Sequence, residues 1–206
     1  MARFPKPELP DEYSVVLAQM VAKTSWLPHP ATVKEFSRAV FPTVRARKGF
    51  PRCSTLLKDG VPVGMFDDNA TPAWALLWSH NIHGRQKGWT VAHVWDETDC
   101  IYCFTNLANL ALVPECFASL TDKTGPLTHF LRRHAWQVYG WKPAQVDQPQ
   151  KPDGYDSIEW NYFQHVANPK QLIAERLKSR SNQRAKVLKE LMSDWLSSMQ
   201  SDGLAT

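Results

Sequence analysis

His93 lies in Trp89-Thr-Val-Ala-His-Val-Trp95, an alternation that predicts a β-strand. Sixteen residues further on comes Asn109, in Asn106-Leu-Ala-Asn109-Leu-Ala-Leu-Val113, with Asp96, Glu97 and Asp99 in the intervening loop. A neutral imidazole is the side chain best suited to take a proton near pH 7. In the hydrolysis of a phosphodiester, that proton comes from the attacking water. The same reaction needs charge neutralised at the transition state and a stabilised leaving oxygen, tasks that suit a metal with open coordination positions. A plainer reading stands beside this one. A histidine between Val91 and Trp95 also fits a core position bonded to backbone, and asparagines near a strand start are common turn residues.

The order of residues 89–123 resembles the HNH nucleases, which have the ββα-metal fold. It runs from a strand carrying a histidine through an irregular loop to Asn109-Leu-x-Leu and then a helix opened by Pro114. The resemblance covers about a sixth of the chain. It implies that His93 is the general base and that Asn109 orients it or binds a divalent cation, Mg2+ or Mn2+, with Asn106 as a neighbouring candidate. Two positions depart from the family pattern. Ala92 stands where many members carry a metal ligand before the base, and Ala118 stands where the helix ligand falls. Asp122, one turn beyond 118, is the substitute that the pattern suggests, with Asp96, His83, Asn106 and Asn109 as further candidate ligands. A catalytically degenerate scaffold that binds DNA or protein is the alternative.

Basic residues flank this segment. Six lie between Lys34 and Arg52 against a single acid, Glu35, and seven between Lys170 and Lys189 against Glu175. They read either as solvated faces or as a nucleic-acid track. The phosphate contacts expected on the second reading are Arg45, Arg47, Lys48, Arg85, Lys87, Arg132 and Arg133. Formal net charge is +4 and the pI is near 8.9, a tilt toward polyanions such as DNA. Cys100-x-x-Cys103 with Cys116, completed by His129 or His134, outlines a zinc knuckle, but buried free thiols are the expectation. Asp67-Asp68-Asn69 reads as a turn before a helix. Trp89, Trp95, Trp136 and Trp141 read as core rather than as platforms for bases. Gly-rich phosphate loops, dinucleotide fingerprints and Gly-x-Ser-x-Gly elbows do not occur in the sequence, which argues against nucleotide hydrolases and dehydrogenases.

The elements that must position these residues follow from local pattern. Expected helices span Glu12 to Lys23, Val33 to Phe41 behind a Thr32/Glu35 capping box, Ala73 to His80, Pro114 to Leu120 and Thr128 to Gly140. A single long helix should run from Pro169 to about Met199, with Leu188, Leu191, Trp195 and Met199 along one face. That stripe could pack onto the domain or pair with a second copy as a homodimer. Asp59-Gly60 should turn a hairpin between 54–58 and 61–66, with Pro62 on an edge strand. The expected class is α+β: a ββα-metal (HNH-like) core with flanking helices and a basic hairpin. Its boundaries are an N-terminal basic segment at 1–70, the core at 71–141, a Pro-rich linker at 142–157 and a basic amphipathic helix at 158–206. Of the 206 residues, 43% are hydrophobic and 21% charged, a globular composition. The N-terminus lacks the apolar stretch of a signal peptide, and no run approaches the ~18 apolar residues of a membrane span, so the expectation is a cytoplasmic protein.

Overall fold

Two-residue turns and proline punctuation set the first sheet. In the computed structural model, which describes residues 10–196 apart from 37, 47, 48, 52, 67, 85 and 122–124, Asp59 and Gly60 take φ of 52° and 75°. This left-handed pair closes the hairpin of β2 (Ser54–Lys58) and β3 (Val61–Phe66), with Lys58 opposite Val61. A third strand, β1 (Thr43–Arg45), pairs parallel to β3, so β3 is central and not the expected edge. Pro62 is tolerated there because β1 begins alongside Gly64, beyond the proline's missing N–H.

The second sheet joins β4 (Trp89–His93) antiparallel to β5 (Leu110–Pro114), with His93 opposite Leu110. Trp26 bridges Leu112 on the other side, leaving β4 at the margin. Alternate residues of β5 enter two cores. Leu110 and Leu112 join Phe41, Phe66, Trp78, Ile173, Leu177 and Leu188, while Ala111 and Val113 join Trp95, Leu131 and Ala135. Burial on both faces explains the unbroken apolar run of β5.

The helices are α1 (Asp11–Thr24), α2 (Pro30–Glu35), α3 (Ala70–Trp78), α4 (Ala118–Thr121), α5 (Thr128–Tyr139), α6 (Pro169–Ser179) and α7 (Gln183–Leu191). Helix α4 follows a 3-10 turn at Glu115–Phe117 and packs on β4, so the consecutive order β4, β5, α4 is a ββα unit. Helix α3 lies two to three residues earlier than expected, α4 begins at Ala118 because Pro114 still belongs to β5, and two further helices differ more. Helix α2 begins at Pro30, where the His29 ring caps Ala31 N–H, and has ended before Phe36, whose φ and ψ are extended. The single C-terminal helix is two. Arg180 turns extended and Asn182 accepts from Ala185 N–H at 2.9 Å, restarting the helix so that Leu177 and Leu188 reach the same core. Leu188 of the stripe is buried in that core and Leu191 and Trp195 pack partly buried against it; Met199 lies outside the described residues.

That core takes Phe41 and Phe66, Trp78 and Leu110, and Ile173 and Leu188 alike, so the boundaries expected at 70/71 and 157/158 do not divide it. The Pro-rich segment is a strap and not a spacer. Val146 packs beside Trp141, and Tyr155 and Ile158 are buried against Ala18, Val21 and Ala22 of α1. No helix among the described residues is long and apolar enough to cross a membrane.

Candidate active site

Residues 94–109, the loop between β4 and β5, fold back under the end of β4. Asn109 is fully buried and binds three main-chain groups of this loop: its Oδ1 accepts from Trp95 N–H at 2.7 Å, and its Nδ2 donates to Cys103 O at 3.0 Å and Trp95 O at 3.3 Å. Asn106 caps the 3-10 turn at Leu107–Asn109, accepting from Ala108 N–H and donating to Tyr102 O. Thr105, which the sequence did not mark, exchanges two hydrogen bonds with Phe41 and ties the loop to the chain leading into β1. A disulfide joins Cys100 to Cys103, against the expectation of free thiols; Cys53 and Cys116 are the free cysteines. The disulfide takes up two cysteines of the outlined zinc knuckle, and His134 is bonded to two tyrosines.

His93 uses the same loop. Its Nε2 lies 3.0 Å from Phe104 O, and its ring stacks parallel to the Phe104 ring at 5.3 Å. A carbonyl only accepts, so Nε2 carries a proton toward Phe104 O. The ring is 7% exposed and lines a cleft of about 380 Å³ at the margin of β4. Arg45, Asn69 and Asp96 line that cleft with it, as do Ala118 and Ser119 of α4. Arg45 reaches in from β1, with its guanidinium donating to Asn69 Oδ1 and lying 6.0 Å from the Phe104 ring centroid. Its Nε is buried with no hydrogen-bond partner. Asn69 comes from the Asp67-Asp68-Asn69 segment, which the sequence reads as a turn before a helix.

The remaining candidates are dispersed. Arg132 donates from Nε to Val94 O at 3.2 Å, one residue past His93; burial lowers its pKa and the nearby Asp96 opposes that shift. Arg133 instead holds the Pro-rich strap through Pro149 O, away from the cleft lining. His83 sits on an exposed loop against Arg176, apart from the cleft, and Lys87 is exposed just before β4. Asp122, Arg47, Lys48 and Arg85 lie outside the described residues. Asn109 and Asn106 are not placed as metal ligands, because both are buried with their amides engaged by the loop backbone and neither lines the cleft.

A hard divalent cation takes about six oxygen ligands. Among the described residues no three histidine, cysteine or acidic side chains gather as such a site requires. The cleft offers one carboxylate, Asp96, and shares its space with a guanidinium. These residues do not fit a cation site on their own, and no step below is routed through one. No protein-family model, curated protein or solved structure matches the chain.

Proposed function

We propose that the chain is an endonuclease of HNH type that hydrolyses phosphodiester bonds in DNA. The observation that carries the reading is His93, its Nε2 turned to Phe104 O at the wall of a cleft that also holds Arg45. In this role Nδ1 takes the proton of a water as its oxygen bonds to phosphorus, while the bond from phosphorus to the leaving ester oxygen breaks and that oxygen takes up a proton from solvent. Arg45 offsets the charge that develops on the non-bridging oxygens, and Arg132 adds positive potential behind the strand end. Asn109 fixes the loop that supplies the orienting carbonyl and acts as a positioning residue. The dependence on Mg2+ or Mn2+ that the family resemblance implies belongs to the test.

A second reading, a DNA-binding module on a degenerate scaffold, is favoured by Ala92 and Ala118 and by the single carboxylate of the cleft. Plasmid cleavage with Mg2+, with Mn2+ and with chelator, comparing wild type with His93→Ala, separates the two. The nuclease reading expects wild-type cleavage and a loss of about a hundredfold or more in the variant. An uncut plasmid under all three conditions that still shifts on a gel leaves only the binding module.

A further inference from the structure

Trp89 opens the strand that His93 ends. Residues four apart on a strand share a face, and a rise of about 3.3 Å each puts them roughly 13 Å apart. Trp89 is half-exposed and lines a hollow of about 650 Å³, walled by Trp74 and Arg180 and edged by Gln86. This hollow and the His93 cleft have Asn69, Thr90 and Val91 as common lining, so the two run together along the margin of β4.

The aromatic residues of the hollow are not equivalent. Trp74 and Trp78 stack on each other at 4.5 Å, and Arg184 lies 5.5 Å from the Trp74 ring while binding Asp68 with one nitrogen to both oxygens. Trp89 makes no ring-stacking or cation–π contact with another described residue. Cations flank the track at both ends: Arg45 at His93, and Arg180 at the hollow, where no described carboxylate pairs with it. The acids along the track are Asp68, held by Arg184, and Asp96, beside Arg132.

We infer that this hollow takes an unpaired nucleobase of the nucleic-acid strand being cut, stacked on Trp89, with Arg180 on the adjoining phosphate. Every base presents a π-face, and an indole beside a cation is how single strands are held without sequence readout. A base paired within a duplex cannot enter a recess of this kind, so the ligand is single-stranded or locally opened. The inference rests on the nuclease reading for the position of the scissile phosphate.

The test uses the full chain carrying His93→Ala, which keeps the strand intact. Fluorescence anisotropy compares a labelled oligothymidylate of about twelve nucleotides with a blunt duplex of the same length. The expected result is tighter binding of the single strand by about tenfold or more, with quenching of tryptophan emission. Adding Trp89→Ala weakens it by about five- to a hundredfold, Trp89→Phe restores most of the loss, and circular dichroism confirms both folds. Arg180→Ala, an exposed change, lowers the slope of log affinity on log salt by about 0.7. Equal affinity for both oligonucleotides, or a folded Trp89→Ala chain that binds unchanged, overturns the inference. The two proposals fail separately. Trp89-dependent strand binding without cleavage by the wild type ends the nuclease reading alone, and duplex cleavage indifferent to Trp89 ends this one alone.

Discussion

Asn109 and His93 bind the carbonyls of adjacent residues: Asn109 Nδ2 donates to Cys103 O at 3.0 Å and His93 Nε2 to Phe104 O at 3.0 Å. One peptide unit thus links a fully buried amide to the ring that faces the cleft. Replacing Asn109 by alanine strips partners from Trp95 N–H and Cys103 O in a place water does not reach. Each buried polar group left unpaired costs about 1–3 kcal/mol. Asn109→Ala should therefore lose about 3 kcal/mol, and its Tm should fall by roughly 6–12 °C. A thermal melt within a degree or two of wild type would show that the loop is held by something else.

The Cys100–Cys103 disulfide closes the turn that supplies those carbonyls. Its ring is short, so the entropy it removes from the unfolded chain amounts to about 2 kcal/mol at most. The turn also has its own hydrogen bonds, from Cys103 N–H and Phe104 N–H to Cys100 O, both at 3.1 Å. Dithiothreitol should lower the wild-type Tm by a few degrees and leave a Cys100→Ser/Cys103→Ser chain unmoved. Equal shifts in both proteins would argue against the bond.

Much of this arrangement is visible in short-range pattern, and the remainder depends on partners far along the chain. The Asp59-Gly60 hairpin and the Gly140 stop are local signals, and each element forms where they place it. The antiparallel return of β5 along β4 lies within twenty residues of sequence, but it sets His93 opposite Leu110 and leaves the Asn109 amide on the loop backbone. Arg45 reads from the sequence as a phosphate contact within a basic run, with no sign that it stands beside His93. It enters the cleft because β1 pairs parallel with β3, a contact with no local signature. The break at Arg180–Asn182 was hidden because the apolar spacing continues through it, and only the shared core of α6 and α7 calls for a turn there.

The Pro-rich strap carries a sharper test. Gly154 sits at φ 70°, and a Cβ built there would meet Val15 Cγ2 at 2.7 Å. Gly140 has a similar φ of 66° with nothing within 4 Å. Left-handed backbone alone costs a non-glycine residue about 1–2 kcal/mol. Gly140→Ala should show about that loss, while Gly154→Ala should lose roughly twice as much as the strap is pushed off α1. Equal melting shifts for the two variants would mean that 142–157 hangs loosely.

His134 sets the acid sensitivity of the fold. Its Nδ1 lies 2.9 Å from the Tyr155 hydroxyl and its Nε2 2.7 Å from that of Tyr162, and burial lowers its pKa from 6.5 to about 3. His80 is lowered to about 4, mainly by burial, with Leu76 O acting against the shift and His29 and His165 adding to it. Both rings are neutral in the folded chain, whereas in the unfolded chain they take up a proton near pH 6.5. The stability they contribute is therefore present above that value and is lost as the pH falls from 6.5 toward 4 and 3. At about 1.4 kcal/mol per pH unit for each histidine, moving from pH 7 to pH 5 should remove roughly 4 kcal/mol. His134→Gln, which keeps hydrogen-bonding atoms but does not titrate, should remove about half of that pH dependence. Melting curves at half-unit steps from pH 7.5 to 5 give the comparison, in a range above most carboxylate titration. Parallel profiles for wild type and His134→Gln would show that the buried ring is not what makes the fold fail in acid.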